Sequence, residues 1–231
     1  MKNQVDKPAP KVTAKDFAYS QMKQWIIEGK LRPGQSIIEA DISSKLEISR
    51  TPLREALQRL ERENMVVRQS NGRLKIAPIS VQEVNEIFNV RSKLEGIVTG
   101  EATEHASETD IKNLSAIVSS SKKAYQERNI EDILYYGAKF HASIYELSGN
   151  KTVMNILSQL NDQIHRYRRL VPNQNTDQII EEDEHQIILS YIADGDAEGA
   201  ARAMQTHIEN SLSAAVIAVE AYEKEKVSAL W

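Results

Sequence analysis

The chain has 231 residues, 41% of them hydrophobic, which suffices for one large or two small domains, each with its own core. The absence of cysteine excludes disulfides, thiolate zinc sites and cysteine nucleophiles, fits a reducing cytoplasm, and leaves any metal to His, Asp and Glu. A formal net charge of -4 conceals an asymmetry, because residues 1–77 carry 15 Lys and Arg against 9 Asp and Glu, and the remainder 14 against 24. A basic module able to neutralise phosphates is thus joined to an acidic one suited to dimerisation, cation binding or ligand sensing.

Residues 1–12, rich in Pro, Lys and Asn, read as a disordered arm without the apolar core of a signal peptide. A first amphipathic helix is expected over 14–28, capped by Thr13 with Asp16 and presenting Phe17, Met22, Trp25 and Ile26 as its apolar face. Gly29 and Arg32-Pro33-Gly34 end it, and a short helix over 39–46, a break and a longer helix over 51–64 follow. In the longer helix Ser49 or Thr51 can serve as cap, Pro52 falls in the first turn where its missing N–H costs little, and Leu53, Ala56, Leu57 and Leu60 form a buried stripe. Extended runs over 65–68 and 73–77 flank Gln69-Ser70-Asn71-Gly72, whose Asn-Gly is a strong hairpin signal. Residues 13–78 therefore read as a winged helix-turn-helix.

Arg50 and Arg54 lie near the N-terminus of the longer helix, the end that enters the major groove in such motifs, and can reach guanine edges or phosphates. Ser49 and Thr51 can donate to phosphate oxygens. Each arginine taken singly is equally an ordinary surface cation; helix, turn, arginine-bearing helix and hairpin together in a basic segment point to double-stranded DNA.

Pro78 closes this module, and Ser80 with Glu83 forms a capping box opening a helix to about residue 106. Helical periodicity continues over 109–128, 130–148, 151–170, 177–193 and 196–225, so residues 79–231 read as an antiparallel all-helical bundle of about six helices. The fold class is mainly α. No run approaches the roughly 18 apolar residues of a membrane span, so a cytoplasmic protein with no membrane partner is expected. His141, His185 and His207 each fall within a predicted helix; turned inward together they could hold Zn or Ni, although isolated helical histidines are as a rule exposed or locally satisfied. Arg91 and Glu95 stand i,i+4 and can pair on a helix surface. Asn150 reads as a helix cap, and Arg166, Tyr167, Arg168 and Arg169 form a cationic cluster whose spacing does not say whether it lines a pocket or covers the bundle.

The run from Gly34 to Ala77, with Ser-Arg-Thr-Pro-Leu-Arg-Glu-Ala-Leu followed by Leu-Glu-Arg-Glu-Asn-Met-Val, resembles the winged helix of GntR-type regulators. Residues 80–220 resemble the helical effector domain of that family's FCD branch, in Val90-Arg91-Ser92-Lys93-Leu94-Glu95, Phe140-His141 with Ser148-Gly149-Asn150, Glu184-His185 and Gly195-Asp196-Ala197 leading to His207. Two departures in the first domain are Asn64, where the family usually has glycine, and Ala40, where several members carry a DNA-contacting arginine. The resemblance implies that Gly72 and Arg73 at the wing tip approach the minor groove or backbone. It further implies a metal site of His141, His185 and His207 with an aspartate one turn before the first, a position held here by Gly137. Losing that carboxylate predicts weaker metal binding, or a water or effector oxygen in its place. Arg91 would face the effector pocket and hold a carboxylate bidentately, with Asn150 as a second contact, the effector being an organic, amino or sugar acid. A homodimer joined through the helical domain, acting as a repressor at a pseudopalindromic operator, is expected. Two other readings are an architectural DNA binder with a vestigial sensor domain and a three-histidine metalloenzyme; for the latter, Glu184 would point off the face of neighbouring His185 rather than serve as its general base.

Overall fold

The computed structural model describes residues 12–168 and 184–228. The arm, apart from Val12, lies outside them, as do the first residues of the helix expected over 177–193 and the side chains of Tyr167, Arg168 and Arg169. The chain divides into two compact units, Met1–Pro78 and Ile79–Trp231.

In the first unit, helix α1 spans Ala14–Ile27, α2 spans Glu39–Leu46 and α3 spans Arg50–Arg62, followed by strands β1 (Val66–Arg68) and β2 (Leu74–Ile76). Thr13 caps α1 by accepting from the Asp16 amide. The stripe Leu53, Ala56, Leu57 and Leu60 is buried against Ala18, Met22 and Ile26 of α1. Phe17 is the exception to the expected apolar face: it is 41% exposed, and Tyr19 takes the inward position. Tyr19 earns that place through its polar tip, donating its hydroxyl to Glu63 at the end of α3 at 2.7 Å while the Arg59 guanidinium stacks on its ring at 3.6 Å. Between α3 and β1 the backbone must reverse, and Asn64 adopts φ +55°, a left-handed conformation that Asn tolerates better than most residues with a Cβ.

The hairpin is antiparallel, with Val66 opposite Ile76 and Arg68 opposite Leu74. Its turn closes by the Gln69 amide donating to the Arg73 carbonyl and the Gly72 amide to the Gln69 carbonyl, with Gly72 at φ +80°. A third extended segment joins it: the Ile37 amide donates to the Leu74 carbonyl, the Ile76 amide to the Gln35 carbonyl, and Ser36 bridges Lys75. That segment was not foreseen, since Gln35-Ser36-Ile37 is too short to show alternation.

The described residues of the second unit form only helices and their connecting turns: α4 (Val81–His105), α5 (Glu108–Gln126), α6 (Ile130–Ser148), α7 (Lys151–Arg168), α8 (Glu184–Ala193) and α9 (Ala197–Ser228). Ser80, Ser107 and Asn129 cap α4, α5 and α6 through their side chains, and Gly149 and Gly195 take left-handed conformations at the turns beyond α6 and α8. The core runs through the middle of the bundle, with Phe88 of α4, Leu114 of α5, Phe140 and Ile144 of α6, Leu157 of α7, Ile188 of α8 and Met204 of α9 all buried. No helix among the described residues is long and apolar enough to cross a membrane.

Candidate functional site

Two sites emerge, one in each unit. In the first, the α2–α3 turn presents Ser49, Arg50, Thr51 and Arg54 at the surface. Ser49 occupies the N-cap position of α3 but its hydroxyl makes no cap bond, contrary to the expected capping role. Arg54 projects outward from α3 and is held by Glu39 of α2, Nε to Oε2 at 2.8 Å, with the arginine side chain 63% exposed. Gly72 and Arg73 are exposed at the wing tip, where Asn71 Oδ1 accepts from the Arg73 amide; Arg68 behind them pairs with Glu61 at 2.8 Å and also donates to the Gly72 carbonyl. Ala40 is exposed beside Glu39 and offers no charge.

The second site is inside the bundle. His141 of α6, His185 of α8 and His207 of α9 are all buried, and one nitrogen from each lies within 4.8 Å of the other two. His141 Nε2 and His207 Nε2 are 3.3 Å apart. Their outer nitrogens meet carboxylates: His141 Nδ1 lies 3.0 Å from Glu95 Oε2, and His207 Nδ1 lies 2.6 Å from Glu184 Oε2. The other Glu95 oxygen accepts from Arg91, 2.9 Å, and from the Tyr145 hydroxyl, 2.5 Å, while Asn210 Nδ2 donates to Glu184 Oε1. Phe140 packs on His185 with ring centroids 4.6 Å apart.

Burial pushes the Glu95 carboxyl up, but the charges of His141 and Arg91 and the hydrogen bonds from His141 and Tyr145 outweigh it and hold it at about 2. The permanent charge of Arg91 and the two donors keep it ionised when His141 is neutral. Burial depresses the His141 imidazole below its usual range against the pull of Glu95, so the ring is neutral near pH 7, the form that binds metals. Burial likewise raises Tyr145, reinforced by Glu95, which keeps the phenol a donor. Glu184, raised by burial, is lowered overall by its bonds to His207 and Asn210.

The donor set fits a divalent metal. Tetrahedral zinc with nitrogen ligands at about 2.0–2.1 Å sets them about 3.3 Å apart, the separation seen between His141 and His207. At Gly137, one turn before His141, a Cβ would meet only His185 Cε1, at 3.8 Å, so the glycine contributes no ligand and leaves room beside the ring.

Comparison with known proteins bears on both sites. Residues 14–76 match the profile described as bacterial regulatory proteins of the gntR family, and residues 86–210 match the FCD domain, more than half of the chain. The chain belongs to the GntR family, with an FCD domain. Among similar proteins are an uncharacterized HTH-type transcriptional regulator, YdhC, of Bacillus subtilis, 28% identical over 72% of this chain and 73% of its own, and the Uxu operon regulator of Haemophilus influenzae, 29% identical over 82% and 77%. Escherichia coli McbR/YncC shares the fold with a TM-score of 0.70, covering 91% of this chain and 99% of its own at 20% identity. This GntR protein is accordingly a DNA-binding transcriptional regulator, a class distinct from enzymes.

Within this regulator, the residues expected of the sensor distribute unevenly. The three histidines converge although they come from three helices. The i,i+4 pair of Arg91 and Glu95 exists but is not a surface pair: the side chains are 5% and 0% exposed, and Arg91 Nη1 is buried with no hydrogen-bond partner among the described residues. Asn150 takes the expected place of a helix cap: Oδ1 accepts from the Val153 amide at the start of α7, and Nδ2 donates to Glu101 of α4. Of the cationic cluster, Arg166 is buried on α7. Glu184 turns away from His185 and meets His207 instead, so no general base for His185 comes from it. Sequence reasoning missed Glu95, Tyr145 and Asn210 as members of the site. For Glu95 a signal was present in its spacing from Arg91; for Tyr145 and Asn210 it was weaker, four residues beyond His141 and three beyond His207 on the same helices.

Proposed function

We propose that this GntR regulator is a repressor whose grip on operator DNA is set by a small carboxylate bound in the helical domain together with a divalent metal. The observation that carries this reading is the buried pairing of a three-histidine cluster with an arginine one of whose nitrogens has no hydrogen-bond partner among the described residues. A guanidinium edge holds carboxylate oxygens, and a metal held by His141, His185 and His207 would act as a Lewis acid with coordination positions left for an oxygen ligand. Relatives are named for such roles: a gluconate operon transcriptional repressor of B. subtilis, 24% identical over 61% of this chain, and the HTH-type transcriptional repressor GlaR of E. coli, 23% identical over 82%. Those names support repression, and the first ties a relative to a gluconate operon.

In this reading residues 13–78 are the DNA-binding domain and 79–231 the effector-binding and dimerisation domain. Arg50 and Arg54 read base edges, Ser49 and Thr51 hold phosphates, and Gly72 with Arg73 set the wing against the minor groove or backbone. One helix-turn-helix covers a half-site, so a homodimer on a pseudopalindrome completes the unit. A coupling of about 1–3 kcal/mol between effector and DNA changes operator occupancy 5- to 150-fold.

The test is operator binding by the full chain, the operator first selected from genomic fragments, measured by fluorescence anisotropy at fixed salt with zinc and a panel of sugar, organic and amino acids. The proposal predicts that one class of acid shifts the affinity at least 5-fold and that His141→Ala and Arg91→Met abolish the shift. Equal affinity with and without every acid and metal would support a binder with a vestigial sensor domain.

A further inference from the structure

We infer that Glu95 and Glu184 are positioning residues that lock His141 and His207 as Nδ1–H tautomers, so that two bare Nε2 lone pairs are aimed at one point. The inference rests on the metal reading above for its purpose, but its physical content concerns the metal-free protein.

The two Nε2 atoms stand 3.3 Å apart. That distance lies close to hydrogen-bond range. If either neutral ring carried its proton on Nε2, it would donate to the other, and the pair would satisfy itself and shut off both lone pairs. An ionised carboxylate only accepts, so a carboxylate at Nδ1 requires the proton there. Both rings have one: Glu95 Oε2 at 3.0 Å from His141 and Glu184 Oε2 at 2.6 Å from His207.

Each carboxylate is itself anchored. Glu95, fully buried on α4, is held by Arg91 on its own helix and by Tyr145 of α6. Glu184 on α8 is held by Asn210 of α9. The two locks therefore come from different helices and share no partner, yet act on rings that face one another. A carboxylate that accepts from the outer nitrogen of a metal-ligating imidazole raises the ring's basicity and fixes its orientation. Here Glu95 and Glu184 also supply negative charge close to three histidines which, with Gly137 in the turn before His141, are joined by no carboxylate ligand among the described residues.

The decisive variant is Glu184→Gln. Glu184 sits at the start of α8 and is partly exposed, so the change is isosteric and spares the Arg91–Glu95 pair. With Asn210 still donating to the amide oxygen, a glutamine turns its N–H toward Nδ1, which favours the Nε2–H tautomer of His207 and lets it bond to His141. The tautomers are read in metal-free full-length protein at pH 8 from long-range ¹H–¹⁵N correlations of the imidazole nitrogens, and zinc affinity is read by chelator competition. The expected result is Nδ1–H for both rings in the parent, a shift of His207 toward Nε2–H in Glu184→Gln, and a loss of about 10- to 100-fold in zinc affinity. Glu184→Asp, which can only accept, should keep the parent tautomer. Glu95→Gln, read on protein shown to be folded by circular dichroism, should do to His141 what Glu184→Gln does to His207. An Nε2–H tautomer on either ring of the parent, or an unchanged His207 tautomer in Glu184→Gln, overturns the inference even if zinc affinity falls, because the carboxylate would then act by charge alone. A parent that shows both Nδ1–H tautomers but takes up no zinc leaves the positioning role standing and overturns the metal reading instead.

Discussion

In the winged helix, Arg54 meets Glu39 at 2.8 Å with most of the arginine in water; in the bundle, Arg91 meets Glu95 at 2.9 Å with both side chains sealed. The bond is the same and the environment is opposite. An exposed pair is worth about 0–1 kcal/mol, so Arg54 would give up little on leaving Glu39 for another partner. A buried pair stripped of one partner leaves an uncompensated charge, so Glu95 cannot be lost without penalty. One arginine is therefore loosely held, while the other is fixed by the protein and keeps only Nη1 without a hydrogen-bond partner among the described residues.

The largest expected effect breaks the buried side of this comparison. Glu95→Ala should destabilise the protein by about 3–5 kcal/mol, the cost of a stranded buried charge, seen as a lower midpoint in urea unfolding. A loss below 1 kcal/mol would mean that water reaches Arg91 and that the two pairs are alike.

Acid should reproduce part of this effect. The folded carboxyl of Glu95 titrates at about 2 against 4.5 when free, so its stabilisation is complete above the free value and is lost as pH falls from there toward 2. The shift corresponds to roughly 3 kcal/mol. His141 adds to it with the same sign: its folded pKa is depressed, so protonation favours the unfolded chain as pH drops below the ordinary histidine range. Urea midpoints measured from pH 7 down to 3 without metal should fall throughout, and the fall below pH 5 should be smaller in Glu95→Gln.

The same contrast explains how much could be seen in the sequence. Helix positions and the stripe of α3 were legible because periodicity and capping are local, as at Thr13 and Ser80. The convergence of three histidines was foreseen from resemblance, not from spacing, since His141 and His207 lie 66 residues apart. The i,i+4 spacing of Arg91 and Glu95 is identical for a surface pair and a buried one, and only the packing of α6 against α4, which brings His141 and Tyr145 to Glu95, decides between them. Phe17 and Tyr19 show the reverse failure: hydrophobicity alone favoured the phenylalanine, but the hydroxyl bond to Glu63, 44 residues away, turned the tyrosine inward.

On the exposed side, Arg54→Ala should weaken operator binding by about 1–3 kcal/mol if it reads a base, with little change in stability. Anisotropy titrations on specific and scrambled duplexes at two salt concentrations separate the cases. A loss confined to the specific duplex assigns Arg54 to base reading. An equal loss on both, with a salt slope reduced by about one, assigns it to phosphate.

The smallest effect asks whether the space beside the histidines is itself under constraint. Gly137 lies inside α6 and is not at positive φ, so its backbone needs no glycine. A Cβ there would meet His185 Cε1 at 3.8 Å, ordinary van der Waals contact. Helix propensity alone then predicts that Gly137→Ala stabilises the metal-free protein by about 0.5–1 kcal/mol. The methyl group would also occupy room next to the ring that an oxygen ligand on the metal would need. If urea unfolding shows the gain while acid-dependent control of operator affinity is weakened, the glycine serves the ligand at the expense of the fold. If stability rises and control is untouched, the space beside His185 is incidental, and the Arg91 side of the network carries the recognition alone.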